Sequence, residues 1–192
     1  ISATGTGCHY FKQWNDGNTE NPRTIGISAN KTYTATFAEG LGGGTCGTNV
    51  TWYLSCDGVM TISGTGAMNN YSITTMPWYN LRDDIKSVVI KPGVTSIGNY
   101  AFYGCTNLRS ITIPSTVTTV RPSSFWGCTS LTSVTIPSSV TSIGYDAFYN
   151  SGLESVILAD GIEFVDEKAF EKCSSLKSIT IPSSVREIRR GA

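Results

Sequence analysis

Charged side chains are scarce in this chain. Asp, Glu, Lys and Arg make up 15% of its 192 residues, with 14 acids against 14 bases. A formal net charge of zero leaves no global field to draw the protein to nucleic acid or to an anionic lipid surface. His9 is the single histidine, and no nucleophile or acid is patterned around it, so it reads as structural. The six cysteines include no CxxC pair, which removes the usual zinc ligand spacing. Phosphate-cradling glycine motifs and basic-aromatic stretches are absent too, so no cofactor and no nucleic acid are expected. No apolar run approaches the ~18 residues of a membrane span, so no membrane insertion is expected. No secretory signal is visible at Ile1, and the abrupt start and stop are those expected of a piece excised from a longer protein. What is abundant is Gly, Ser and Thr, with a hydrophobic content of 40% that suffices for a core.

Carboxylates stand close together at Asp83-Asp84 and at Glu163, Asp166 and Glu167. Their sequence settings are those of exposed turns rather than of acid-base pairs. The loop 16–21, DGNTEN, is rich in oxygen ligands but lacks the 12-residue spacing of a known calcium loop, and it reads as a turn. No catalytic residue and no metal ligand is therefore assigned.

From Ile85 to Ala192 one segment recurs about four and a half times, with a period of 23 residues shortened to 22 in the third copy. The copies occupy residues 85–107, 108–130, 131–152, 153–175 and 176–192, numbered rungs 1 to 5. A period of this length implies one supersecondary unit per copy, stacked into a solenoid. Positions 1, 4 and 6 of each rung are apolar, as in Leu108, Ile111 and Ile113, and the spacing of two signals a strand. Proline follows at position 7 (Pro114, Pro137, Pro182), where the strand must end because proline has no N–H for the ladder. Positions 10 and 13 are apolar again, giving a second short extended or turn segment. Position 18 places Phe102, Phe125, Phe148 and Phe170 in one internal ladder. Each such ring, once buried, contributes about 2–3 kcal/mol, and no copy can bury that face alone.

Ahead of the array, three parts separate. Residues 1–38 alternate strand-like runs, including TYTATF, with the turn dipeptides Asp16-Gly17 and Asn21-Pro22. Residues 39–45, EGLGGGT, have the composition of a glycine-rich linker. Residues 50–54 and 59–63 are expected to form hairpin strands joined through Cys56-Asp57-Gly58. An irregular connection containing MPWYN then leads to Ile85. Cys105, Cys128 and Cys173 share position 21, with Ser151 in that place in rung 3, and read as buried small side chains. Cys105 and Cys128 lie on adjacent rungs, where a bridge would strain the stack. Cys46 and Cys56 flank a strand and are candidates for a bridge in an exported protein.

The pattern LxSxTIPxxVTSIGxxAFxxC resembles the BspA-like surface leucine-rich repeats, over residues 85–192. Residues 39–84 resemble the strand-rich capping segment found ahead of such arrays. Residues 1–38, through FKQWNDGNTENPRT and TYTATF, resemble part of a divergent internalin-type B repeat, a β-grasp-like module; Gly5 stands where that module tends to have proline. The resemblance implies a mainly-β, right-handed leucine-rich-repeat solenoid on a secreted or wall-attached bacterial protein. It implies a non-enzymatic, adhesin-like role: binding a host or matrix protein or glycan through the repeat surface. Other possibilities are a structural spacer in a larger secreted protein, and a non-catalytic segment of a secreted hydrolase.

Three columns are candidate binding residues. Position 2 carries Lys86, Arg109, Thr132, Glu154 and Lys177, and position 5 carries Val89, Thr112, Thr135, Ile157 and Thr180. If the strands stack in register, both columns run along one face, as a solvated sheet surface or as a partner-binding one. The third is Tyr103, Trp126 and Tyr149, each just after a ladder phenylalanine and interrupted by Glu171. These rings either stack on a glycan or protein loop or cover the edge of the core. Rung 5 stops at Ala192, one position before its expected phenylalanine, so a frayed end or a contact there is expected. Oligomeric state is not legible.

Overall fold

A computed structural model describes residues 1–26 and 31–192; residues 27–30, within the stretch assigned to the N-terminal module, lie outside the described residues. Strands β1 (His9–Trp14) and β2 (Ala35–Glu39) pair antiparallel, with a bulge between Phe11 and Gln13. The loop after β1 is a turn with internal partners for its oxygens. Asn18 N–H donates to Asp16 Oδ1 and Glu20 N–H to Asn18 Oδ1. Both Asp16 oxygens accept from Arg23 Nη1 at 2.9 Å. Burial opposes ionisation of Asp16, yet the Asn18 N–H and the Arg23 guanidinium hold its carboxyl below the usual carboxylate range. Arg23 in turn lies against the rings of Trp14 and Tyr33.

The glycine-rich stretch is not a flexible linker. Residues Gly42–Gly47 form β3, paired antiparallel with β4 (Val50–Leu54), which pairs antiparallel with β5 (Val59–Gly64). The glycines answer to close packing: a Cβ on Gly42 would meet Trp52 and Leu81 at 2.8 Å, and one on Gly43 would meet the Tyr10 hydroxyl at 2.7 Å. The candidate Cys46–Cys56 bridge is not formed; Cys56 pairs with Cys8 in a disulfide instead. The reason is register. Cys46 lies on β3 beside the start of β4, Thr45 opposing Thr51, whereas Cys56 follows the far end of β4, roughly 17 Å of strand away. Cys56 instead meets Cys8, just before β1. The bridge ties the β1–β2 pair to the turn between β4 and β5.

The solenoid begins before the visible repeat. Strand β5 pairs in parallel with β7 (Ser87–Ile90) of rung 1, and β6 (Gly66–Ala67) pairs in parallel with β8 (Val94–Ile97). The segment 59–84 is thus a lead turn without the repeat's consensus, closed by a 3-10 helix at Tyr79–Asp84. Trp78 takes the place of the ladder phenylalanine: its ring stacks on Phe102 at 5.9 Å, and its indole N–H donates to the Ala101 carbonyl at 2.8 Å.

Four complete turns and part of a fifth then follow as a right-handed β-solenoid. Rungs 2 to 5 contribute β9 (Ser110–Thr112) and β10 (Thr119–Val120), β11 (Ser133–Ile136) and β12 (Ser142–Ile143), β13 (Ser155–Leu158) and β14 (Phe164–Val165), then β15 (Ser178–Ile179) and β16 (Glu187–Ile188). The second segment of the repeat is therefore a strand, and it forms the more continuous sheet: β6, β8, β10, β12, β14 and β16 run unbroken in parallel. The first-segment strands divide into β3-β4-β5-β7-β9 and β11-β13-β15, with a break between rungs 2 and 3.

Between the sheets lies the core that the period requires. Phe102, Phe125 and Phe148 are fully buried, and successive rings from Phe102 to Phe170 stack at 5.0–5.4 Å. The backbone around this ladder adopts two left-handed positions per rung. Position 16 carries Tyr100, Ser123, Asp146 and Lys168, all with φ of 54–58°, and then Gly191 at 70°. Four side chains are thereby held where an L-residue costs roughly 1–2 kcal/mol, a cost that packing of the adjacent phenylalanine offsets.

Candidate functional site

The strand columns lie where the repeat places them. The registers Val89 to Thr112 and Thr135 to Ile157 put position 5 in line within each sheet, the break falling between Thr112 and Thr135. Position 4 points inward and is buried in Val88, Val134 and Val156. Positions 3 and 5 therefore point outward. All five position 2 residues, Lys86, Arg109, Thr132, Glu154 and Lys177, are exposed. So are Thr112, Thr135 and Thr180; Val89 is half-buried, and Ile157 is the most open apolar side chain of the array at 62% exposure. Lys177 spends its charge on Glu154 of the rung before, Nζ to Oε2 at 3.0 Å. Position 3 adds a further outward column, serine in every rung, at Ser87, Ser110, Ser133, Ser155 and Ser178. This face is thus a bank of hydroxyls between a charged column and a β-branched one.

The aromatic column forms a stack of its own. Tyr103 and Trp126 lie 4.5 Å apart at an interplanar angle of 10°, and Trp126 and Tyr149 lie 5.7 Å apart at 6°. Tyr100 leans on the first ring at 5.6 Å, and the Lys172 ammonium lies over the last at 5.0 Å. The Tyr149 hydroxyl holds that ammonium above the usual lysine range. Both faces of Trp126 are covered by its neighbours, so the half-buried column offers its edges to solvent.

The position 21 column is internal. Cys128 Sγ donates to the Phe102 carbonyl at 3.2 Å and Cys173 Sγ to the Phe148 carbonyl at 3.1 Å, each reaching back to the rung before. Ser151, in that place in rung 3, instead has its Oγ 3.2 Å from Cys173 Sγ of the next rung. Burial pushes the Cys46 and Cys105 thiols up to about 12 and Cys128 well above its ordinary value, so none is poised as a nucleophile. Position 9 supplies a second set of rung-to-rung ties. Hydroxyls of Thr116, Ser139 and Ser184 donate to the Val94, Val117 and Ile162 carbonyls at 2.6–2.8 Å. Where the rung before has glycine there, its N–H donates back: Gly93 to Thr116 and Gly161 to Ser184.

At the last rung the apolar end is open. A cleft of about 260 Å³ is lined by Leu158, Val165, Phe170, Ile179, Ile188 and Ala192, among others. Ile181 and Ile188 are 43% and 52% exposed. Among the described residues no group of three or more His, Cys, Asp or Glu is placed to hold a metal ion, and no helix is long and apolar enough to cross a membrane.

A parallel β-solenoid with a phenylalanine ladder, a cysteine column and an outward S-x-T strand face defines a bacterial-type leucine-rich repeat protein. The profile of the BspA type leucine rich repeat region matches residues 72–192 in six copies, starting ahead of Ile85, and the chain belongs to that family. It is a family of non-catalytic surface scaffolds and adhesins, and this chain is not an enzyme. Among solved structures the chain is similar to a leucine-rich repeat protein from Eubacterium ventriosum, with 29% identity and a TM-score of 0.60 over 74% of this chain and 44% of that one. It also matches a leucine-rich repeat protein from Bacteroides ovatus, with 22% identity and a TM-score of 0.45 over 74% and 48% of the two chains. A T. pallidum leucine-rich repeat protein is 19% identical, with a TM-score of 0.47 over 75% and 82%. The chain spans less than half the length of the first two. No curated protein matches it significantly.

Proposed function

We infer that this chain is the adhesin-like part of an extracellular bacterial protein, holding a host or matrix protein or glycan on its repeat surface. The observation that carries the reading is the exposed strand face. There Lys86 and Arg109 of position 2 and Thr112, Thr135 and Ile157 of position 5 stand beside the serine column with no covering element among the described residues. The Cys8–Cys56 disulfide supports an oxidising compartment, outside the cytoplasm. The antiparallel β1–β2 pair supports a partial B-repeat-like module in residues 1–38, with attachment to the cell wall as the expected setting. The aromatic edges of Tyr103, Trp126 and Tyr149 are a secondary contact, since their faces are taken by one another.

A spacer that projects another domain draws on a different observation: the disulfide clamps the first strand pair to the lead turn, which stiffens the connection. Screening the chain against matrix proteins and a glycan array separates the two. A saturable hit that is lost on Arg109→Ala with Thr112→Ala, at unchanged melting temperature, supports the adhesin. Silence on both screens leaves the spacer.

A further inference from the structure

The strand face comes from the repeat, but a polar cleft at the other end of the array does not. It lies at the edge of the continuous sheet, beside β6, and encloses about 450 Å³, within the range of small-ligand clefts. Three segments build it. Thr48 and Asn49 come from the turn between β3 and β4, and Thr65, Asn69 and Asn70 from the segment that flanks β6. Arg121 arrives from rung 2. Asn69 sits close to rung 1 because position 14 there is Gly98, whose missing side chain lets the Asn69 carbonyl press against the rung; a Cβ on Gly98 would come within 1.8 Å of it.

Among the described residues Arg121 is a cation without a counter-ion. Residues 85–152 contain four bases, Lys86, Lys91, Arg109 and Arg121, and one acid, Asp146. Every ion pair of the array among the described residues falls between Glu154 and Arg189. Amide and hydroxyl residues, Thr48, Asn49, Thr65, Asn69 and Asn70, line the same cleft as Arg121. Asn70 Oδ1 accepts from the Asn99 N–H at 3.1 Å, which fixes that amide. A planar guanidinium takes a carboxylate through two parallel N–H donors, and amides and hydroxyls offer both donors and acceptors to a ring carrying several hydroxyls. A simple anion would leave those side chains unused, and an apolar peptide side chain would find little to pack on.

We propose that this cleft binds the carboxylate-bearing ring of an acidic sugar, with Arg121 on the carboxylate and Asn49, Thr65 and Asn69 on the ring hydroxyls. The site is separate from the strand face and does not depend on it. The test is an NMR titration of the 192-residue chain with glucuronate, glucose and acetate, repeated on Arg121→Gln and Arg121→Lys. Glucuronate is expected to give saturable shifts at Asn49, Asn69 and Arg121, weakened by added salt. Glucose and acetate are each expected to bind at least roughly tenfold more weakly, and Arg121→Gln to cost roughly tenfold or more, with Arg121→Lys in between. Equal binding of glucose, equal binding of acetate, or no shift in the cleft overturns the proposal. So does a glucuronate response confined to the strand columns, which would leave the adhesin reading standing. If Arg121→Gln fails to fold, the ranking of the three ligands on the unaltered chain decides.

Discussion

Rungs 1 to 3 and rungs 4 to 5 share one period and are held together by different physics. The first three carry five charged side chains in residues 85–152; residues 153–192 carry thirteen. In the first region adjacent rungs are joined by stacked rings, the Tyr103, Trp126 and Tyr149 column outside and the phenylalanine ladder inside. In the second the outer aromatic column ends at Glu171, and the rungs are joined by Lys177 to Glu154, Arg186 to Glu163 and Arg189 to Asp166 at 3.0–3.6 Å. Exposed ion pairs contribute about 0–1 kcal/mol each, so these do not replace the rings energetically. They lie in the region whose apolar end is open. In a stack where each rung touches only its neighbours, stability is a sum of such local interfaces, and the two regions are expected to differ in it.

The largest test of that difference is a pair of truncations. Phe125→Ala, at a fully buried position with a ring on either side, is expected to cost about 3–5 kcal/mol in urea unfolding. Phe170→Ala, half-buried beside the open cleft, is expected to cost less than about 2 kcal/mol. Equal costs would mean that the stack unfolds as one unit and that the comparison has no energetic content. Next in size is a gain. Ser123 sits at φ 54° and makes no side-chain hydrogen bond among the described residues. Ser123→Gly is expected to add about 1 kcal/mol by removing left-handed strain, whereas Gly191→Ala at the matching place in rung 5 should lose a similar amount. Calorimetric melting of both variants reads the opposite signs.

Smaller again is Arg189→Ala, which removes the pairs to Asp166 and Glu187. A loss of no more than about 1 kcal/mol, halved or more by about 0.5 M salt, is expected from chemical denaturation. A salt-independent loss would show that the side chain acts by packing instead.

The smallest effect is one of pH. Burial raises the Asp146 carboxyl above its ordinary 3.8, against the pull of Lys168. Its folded value exceeds the unfolded one, so the native state binds the extra proton. The stabilising contribution is full below 3.8 and fades as pH rises through the folded value. Asp146→Asn should flatten the stability profile in that window. Asp16 runs the other way: held low by Asn18 and Arg23, it contributes above 3.8 and loses that as pH falls.

Much of the inner architecture was legible because it repeats. Leu108 and Leu131, Val134 and Ile136, and Phe125 and Phe148 are buried as their periods demand. The parts that were not legible depend on contacts between segments that share no pattern. Nothing in VMTISG marks β5 as the parallel partner of β7, since a strand does not carry its neighbour's identity. Trp78 takes the ladder position without sitting in any AF motif. The glycines 42–44 have the composition of a linker, and only the rings of Trp52 and Tyr10 packed above them show why a strand there has no side chains. The cleft around Arg121 likewise joins residues 49, 69 and 121, which no spacing relates.

Sequence alone determined that this chain stacks, how often, and which side chains face inward, because one apolar face recurs every 22 or 23 residues and no single copy can bury it. Tertiary structure decided where the stack begins, which cysteine Cys56 meets, where the first sheet breaks, and which outward residues come together into a surface. Those outcomes turn on register and close approach between distant segments. A period specifies its own neighbours and is silent about any segment that does not share it.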